Sequence, residues 1–557
     1  MGISIRLVIS SHVSQERWRA VYNETLRLAK KLHLADIEEK EIHGHVVNCL
    51  VPCKEIEQYG KKGWQTVADY IRGDHAESFF FPEELYKPKS SKADNEAKNE
   101  ADNKHTSKPS DILLYLANSI DLIELENSID DCQEIWGDKT QGRTYHLSLL
   151  AIGCLVQDRL GDDAIVVGDI NAGQCREAVQ KINKFLKTPI QIPCQCEPDR
   201  WLERIARIPA DNIVRLKIAF GLYDGAKNSA FGEKLREVIP HEILLQYWRE
   251  EFTSYSMRTV GYYEALKNYL TMGFDIGELC ELVPLQDSEG KDLLEDFVKT
   301  IMNSKLHWKE KDCSDWLVQD PDDPTVYGIE ASFIRFFNIT ARNRKVDRYI
   351  PIDELRKTLH DKLGERVDCI IDTYLQQEEQ SEKADTPAKK VDHSAEFNQM
   401  MNDYHHEIIE KIEQYEVYDN RSLEFYKPGD RIAPEVKKGI KAVLDFADEI
   451  LKKDDYKEIT SASLETQEDW LTYAGNHLYT MRDRDWKRIF HNVETLPNAF
   501  RRYFPLFCID LNNNQDVRYI VMALIINDDL YNFAMEVRKE YRKKTAKKNF
   551  FKKMRKR

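Results

Sequence analysis

The clearest candidate for chemistry in this sequence is the turn Gly168–Cys175, which reads Gly-Asp-Ile-Asn-Ala-Gly-Gln-Cys after the short apolar run Ala164–Val167. Folds of the α/β class place ligands beyond the carboxyl end of a strand, because loop amides and helix N-termini converge there. Cys175 falls in the first turn of the predicted helix, where the helix dipole should lower its pKa and favour the thiolate. Asp169 could hold a metal or a hydroxyl group. These two residues are the candidate catalytic residues.

The same turn also has a purely structural interpretation. Asn171 can cap the helix, and Gln174 three residues later completes a capping box. The glycines would then form the turn, and Cys175 would pack in the core. A catalytic cysteine needs a base, and the sequence offers only His146, at the start of the preceding helix.

Other motifs add no further site. The segment Gly137–Arg143 superficially resembles a phosphate loop but lacks the GxxxxGK[ST] order, so a turn is the better interpretation. Four pairs of metal-ligand residue types each supply two ligands, fewer than a site needs: Cys49 and Cys53, Cys194 and Cys196, His43 and His45, His406 and Glu410. We therefore predict no metal and no cofactor. Linear signatures of hydrolases, zinc proteases, dinucleotide enzymes and kinases are missing, which favours a non-enzymatic role but leaves the question open.

The segment Arg482–Tyr503 interleaves basic and aromatic residues that could bind phosphates and stack on bases. However, the run Arg482–Asp485 is charge-balanced, and the aromatic residues have helical spacing. We therefore interpret the aromatic residues as the core face of a helix with a solvated charged side: Trp486, Phe490, Phe500 and Tyr503.

Charge is sharply segregated along the chain. The net charge is −15, yet the last twenty residues hold 12 Lys or Arg and one Glu, which makes this tail +11 and the rest −26. An acidic body argues against broad nucleic-acid binding by the folded part. The tail could contact nucleic acid, an anionic surface or an acidic partner, or could only aid solubility. Its candidate contact residues are Lys543, Lys544, Lys547, Lys548, Lys552, Lys553 and Arg555.

Two polar stretches that cannot bury much apolar surface divide the 557 residues into blocks. We predict a small α/β domain at 1–86, a disordered linker at 87–111, and a helix-rich domain with an α/β core at 112–375. A second linker at 376–393 precedes a helical domain at 394–537 and the basic tail at 538–557. Linkers of this kind suit blocks that move relative to one another.

The pattern of elements predicts a predominantly helical α+β fold. The first block reads as strand, helix and strand, with the second strand near Val46–Val51. Residues 147–186 read as helix, strand and helix, and most of the later sequence reads as amphipathic helices, including one at Glu396–Tyr415. Near the C-terminus, Phe507–Leu511 and Val517–Ile525 read as a β-hairpin around the turn Asn512–Gln515.

The expected cellular location rests on the membrane-span and signal-peptide patterns that the sequence lacks. The longest apolar run, Tyr519–Ile526, is far shorter than the roughly 20 residues that span a bilayer. The N-terminus has no signal-peptide pattern. The 11 cysteines are scattered and odd in number, which fits reduced thiols rather than a disulfide framework. We therefore expect a cytoplasmic protein with no membrane span.

Three functions remain open at this stage, and no family resemblance chooses among them. The favoured one is a cytosolic multidomain binding or adaptor protein that contacts other macromolecules through helical surfaces, with a protein as the expected partner. The first alternative is an enzyme with its site at the Gly168–Cys175 turn. The second is a nucleic-acid-associated factor that uses the basic tail.

Overall fold

The computed structural model describes residues 3–86, 111–123, 132–308, 346–384, 423–509 and 515–539, apart from 59, 72, 74, 258, 288 and 347. Within these ranges the fold is α+β and predominantly helical, as predicted. The predicted helix Glu396–Tyr415 and the candidate tail residues Lys543–Arg555 lie outside them. No helix in the described ranges combines the length and the apolar character that a membrane crossing requires.

The N-terminal part contains more strands than the sequence predicts. The predicted strand–helix–strand unit is present, but another strand separates its last two members, and three more follow. The elements are β1 Ser4–Ser10, α1 Gln15–Lys31, β2 Leu34–Ile42, β3 His45–Pro52, β4 Glu55–Gln58, β5 Lys61–Asp69 and β6 His75–Pro82.

The middle part begins with the predicted helix–strand–helix and continues as helices. The first elements are α2 Ile112–Ser119, β7 Cys132–Lys139, α3 His146–Leu160, β8 Ala164–Gly168 and α4 Ala172–Asn183. The helices that follow are α5 Pro198–Ala206, α6 Asn212–Gly221, α7 Ser229–Val238, α8 His241–Ser254, α9 Val260–Thr271, α10 Ile276–Leu282, α11 Leu294–Asn303, α12 Ile352–Leu363 and α13 Arg366–Ala384. Because α13 extends to Ala384, the first residues of the predicted linker 376–393 are helical.

The C-terminal part is helical with one very short strand. Its elements are α14 Pro434–Lys452, α15 Asp454–Thr460, α16 Leu464–Leu478, β9 Met481–Arg482, α17 Asp483–Thr495, α18 Ala499–Phe507, α19 Gln515–Ile526 and α20 at 528–539. The predicted β-hairpin is therefore wrong. Phe507 ends one helix, and Val517–Ile525 lies within another. The apolar run that suggested a strand is a helix buried on nearly every side, for which periodicity gives no signal.

Strand pairing connects parts of the chain that are far apart in sequence. In the first sheet, with order β7-β1-β8, β1 pairs antiparallel with both neighbours. In the second, with order β4-β5-β2-β3-β9, β6 also pairs with β5. The short β9 pairs parallel with β3 at Cys49 and Leu50. The division into three domains stays a prediction, but each predicted block contributes a strand to a sheet that it shares with another.

The first sheet separates two apolar layers, because successive side chains of a strand point to opposite faces. Ile5, Leu7 and Ile9 of β1 pack into a core with α1, α3 and α4. Val8 faces the opposite way, into the large core of the helices that follow Pro198. A third core lies between α14, α16–α19 and the β2–β3 hairpin. These layers fix the position of the turn after β8 and of the C-terminal helices.

Candidate functional site

The turn after β8 has the local structure that its sequence predicts. Gly168 has φ +135°, and a β-carbon there would lie 2.6 Å from the carbonyl oxygen of Ser4, so glycine is required. Asn171 accepts a hydrogen bond from the Gln174 amide at 2.8 Å, and the Gln174 side chain accepts one from the Asn171 amide at 3.1 Å. The predicted capping box is confirmed.

Asp169 connects this turn to β1. Its carboxylate accepts hydrogen bonds from the amide of Ser4 at 2.8 Å and from the hydroxyl of Ser4 at 3.1 Å. Its own amide donates to the carbonyl oxygen of Ser4 at 2.9 Å. The carboxylate therefore holds the end of β8 against the first strand. In the part of the chain that the structure describes, no group of three His, Cys, Asp or Glu could hold a metal ion.

Cys175 lies in the first turn of α4, as expected, but it is completely buried. A hydrogen bond with the thiol of Cys154 and burial together hold the pKa of Cys175 well above its usual range. The expectation that the helix dipole lowers this pKa is wrong, because the hydrogen bond with Cys154 and the loss of water together outweigh the partial charge of the helix terminus. The cysteine is a thiol at neutral pH.

The groups around Cys175 are ones that the sequence did not single out together. Cys154 comes from α3, Cys196 from the turn before α5, and Asp224 from the turn after α6. Burial raises the pKa of Asp224 well above its ordinary value, and its Oδ2 is enclosed without a hydrogen bond among the described residues. Only the three-dimensional fold brings these positions together, so spacing in the sequence carried no signal for them.

His146, the candidate base, begins α3 as predicted and is fully buried. Its Nδ1 lies 2.7 Å from the hydroxyl oxygen of Thr140. Burial lowers its pKa to about 4, so the ring is neutral at pH 7. The ring of His146 is engaged with Thr140, and the carboxylate of Asp169 is engaged with Ser4. The structure thus places Cys175 with two other thiols and a buried carboxyl.

We expect Cys175 to be among the slowest cysteines to react in the folded protein at pH 7. Only the thiolate is nucleophilic, and this thiol is both protonated and enclosed. Cys369 is exposed and provides the internal control. Brief labelling with N-ethylmaleimide followed by peptide mass spectrometry should modify Cys369 and leave Cys175 intact. Labelling of Cys175 as fast as Cys369 would instead favour the enzyme hypothesis.

The segment Arg482–Tyr503 has the core face that its spacing predicts. All four of its aromatic residues named above are buried, so none can stack on a nucleic-acid base. The indole of Trp486 donates to the carbonyl oxygen of Asn48 at 3.2 Å, which ties α17 to the edge of β3. The hypothesis that these aromatic residues bind nucleic acid loses its support.

A second candidate surface lies on α16, and the sequence analysis missed it. Trp470 and Tyr473 are 40% and 59% exposed, and their rings meet edge to face with centroids 6.1 Å apart. The ring of His477 lies 4.3 Å from that of Tyr473. The buried apolar side chains of this helix include Leu471 and Ala474, which face the opposite side. Helical spacing could have found the surface, because Trp470 and Tyr473 do not fall on the apolar stripe.

Comparison with known proteins identifies no relative for this chain. No protein-family model matches it, and neither a curated protein nor a solved structure shows significant similarity. Function must therefore be argued from the residues themselves.

Proposed function

We propose that this protein is a cytoplasmic binding or adaptor protein that contacts a protein partner through the aromatic face of α16, defined by Trp470, Tyr473 and His477. The observation that carries the proposal is the exposure of Trp470 and Tyr473 side by side on one helix. Tryptophan and tyrosine are enriched among the residues that dominate binding energy at protein interfaces. The described cysteines form no disulfide bonds with one another, which supports the cytoplasmic location.

The aromatic face is pre-ordered, which favours binding. Trp470 packs edge-on against Phe504 of α18, with ring centroids 6.3 Å apart, and against Tyr473. Neighbouring Asn476 donates to the carbonyl oxygen of Val46 at 3.1 Å and accepts from the amide of Asn48 at 2.8 Å. A surface that is already rigid loses little side-chain entropy on association. The β2–β3 hairpin thus supports α16 from behind.

Charge around the aromatic face favours a basic partner. Glu465 and Asp469 lie on the exposed side of the same helix. Asp469 is 3.2 Å from one ring nitrogen of His45, and Glu468 is 3.2 Å from the other. Lysine or arginine side chains of a partner could meet the carboxylates and also stack on the aromatic rings. Such charge complementarity speeds the encounter with a basic partner and disfavours binding of acidic proteins.

Site-specific photo-crosslinking tests the proposal in cells that express the full chain. Tyr473 would be replaced by p-benzoylphenylalanine, and Phe185, which is 49% exposed on another part of the chain, provides the matched control position. We expect a crosslinked product of one defined mass from position 473 and none from position 185. Adding Trp470→Ala should weaken the product strongly, because loss of such an anchor costs about 2 kcal/mol or more.

The same experiment separates this proposal from the function of the basic tail. Arg538 is not part of a free tail, because it is 5% exposed and its guanidinium donates to Asp445 at 3.0 Å and to Asp448 at 3.1 Å. A truncated variant that tests the role of the basic tail should therefore lack only residues 540–557. A product that survives truncation and disappears with Trp470→Ala supports the aromatic face. Identical crosslinking from positions 473 and 185 contradicts it.

A further inference from the structure

A cavity of about 420 Å³ lies where the N-terminal sheet meets the C-terminal helices. Its size is within the range of small-molecule sites. Four chain segments contribute to it, from the end of β5, the turn at 423–425, the start of α17 and the end of α19. The lining residues are Ile71, Glu424, Phe425, Arg482, Arg484, Asp485, Arg488 and Ile526. Three of these eight lining residues are arginines.

Two of the arginines are held in place by the fold. Arg482 is 8% exposed, and its Nε donates to the carboxylate of Asp485. Arg488 donates to the carbonyl oxygen of Ile525 at 3.0 Å and lies 3.2 Å from a carboxylate oxygen of Asp528. The Nε of Arg488 is buried and has no acceptor among the described residues. Ile525 and Asp528 therefore hold the guanidinium of Arg488 in a fixed position at the cavity wall.

Arg484 differs from both, since its side chain is exposed and forms no ion pair or hydrogen bond within the described part of the chain. Only its backbone amide is engaged, by the carboxylate of Asp483 at 2.7 Å. A guanidinium with five free donors matches a phosphate group well. Because α17 holds Arg484 and Arg488 one turn apart, both can face the same anion.

The opposing carboxylates offset only part of this charge. Asp485 is engaged by Arg482, and Asp528 is shared between Arg488 and Arg502, the latter at 2.6 Å. Glu424 is the other carboxylate in the lining, so three arginines face two acidic residues and the lining keeps a net positive charge. The remaining lining is apolar, with Ile71, Ile526 and the half-exposed ring of Phe425.

We propose that this cavity binds a small phosphate-bearing molecule of about mononucleotide size, with the phosphate on Arg484 and Arg488 and a flat or apolar part against Phe425. The site is separate from the aromatic face of α16 and does not depend on the proposed function. Binding by charge-assisted hydrogen bonds predicts an affinity that falls with salt.

Isothermal titration of the full chain with AMP, inorganic phosphate and adenosine tests the proposal. We expect AMP to bind, phosphate to bind more weakly, and adenosine not to bind detectably. Arg484→Ala should weaken AMP binding about tenfold or more, the size of a lost charge-assisted contact. Arg501→Ala is the matched control, because Arg501 is an exposed arginine of α18 outside the cavity lining; it should leave the affinity unchanged.

A second variant should change the affinity for AMP in the opposite direction. Glu424→Gln removes a carboxylate from the cavity and should tighten AMP binding several-fold, because like charge repels the phosphate. Circular dichroism and thermal melting would verify that each variant is folded. The proposal fails if the folded wild type binds neither AMP nor phosphate at millimolar concentration. It also fails if Arg484→Ala and Arg501→Ala bind AMP alike, or if Glu424→Gln weakens binding.

Discussion

Acidification from pH 6.5 to 4 should lower the free energy of unfolding by about 3 kcal/mol through the single side chain of His146. This histidine is fully buried, and burial lowers its pKa from 6.5 to about 4. The imidazole of His146 is protonated below about pH 6.5 in the unfolded chain, but only below about pH 4 in the folded chain. The stability that the neutral ring contributes is therefore complete above pH 6.5 and lost as the pH falls towards 4.

Other groups titrate in the same interval, so the measurement is a difference between two proteins. Urea unfolding of the wild type and of His146→Gln would be followed at several values between pH 4 and 7. We expect His146→Gln to be less stable at pH 7 and to lose less stability on acidification. His477→Gln, at an exposed position, is the control and should follow the wild type. A constant difference between wild type and His146→Gln across this range would show that His146 is not the acid-sensitive group.

Replacing Arg204 by alanine should cost about 3–5 kcal/mol of stability, because it leaves a partner carboxylate buried and uncompensated. The side chain of Arg204 is 6% exposed and donates two hydrogen bonds of 2.6 Å to Asp111, whose side chain is 13% exposed. Asp111 also caps α2 by accepting from the amide of Leu113 at 2.9 Å. The pair thus fastens α2 to α5, two helices that share one core.

The matched control is Arg207→Ala, one turn further along. Arg207 is 59% exposed and pairs only at the surface, with Asp162 at 3.1 Å, so its loss should cost less than about 1 kcal/mol. Denaturant unfolding compares the two variants. Adding Asp111→Asn to Arg204→Ala should recover part of the loss, since asparagine keeps the cap and removes the buried charge. If Arg204→Ala and Arg207→Ala lose equal stability, burial of the Arg204–Asp111 pair does not increase its contribution.

Local features could be predicted from the sequence because their causes are local. The capping box at Asn171 and Gln174 depends on four consecutive residues, and the structure contains it as predicted. The helix, strand and helix predicted at 147–186 are also present, as α3, β8 and α4. The predominance of helix in an α+β fold follows from many such segments together, and it is confirmed.

The predictions that failed depend on surroundings that the sequence does not show. Val517–Ile525 is rich in β-branched residues, but intrinsic propensity is a weak guide when a segment is enclosed by other helices. The pKa of Cys175 depends on burial beneath α3 and on the thiol of Cys154, which lies on a different helix. The arginine-lined cavity draws residues from four separate segments. Spacing rules describe neither enclosure nor long-range contact, so these features required the structure.

The position of β1 between β7 and β8 has a consequence for biosynthesis. The hydrogen bond between Ser4 and Asp169 joins groups 165 residues apart in sequence. At typical synthesis rates, β8 follows β1 out of the ribosome after roughly ten to thirty seconds. During that interval the central strand lacks β8 throughout and lacks β7 until residues 132–139 emerge. Its apolar side chains have no complete core, because α4 emerges later still. A strand with an unpaired edge invites pairing with other chains, so we expect the nascent chain to be most prone to aggregation before β8 emerges. Completion of this sheet should be slow, because its paired strands are far apart in sequence.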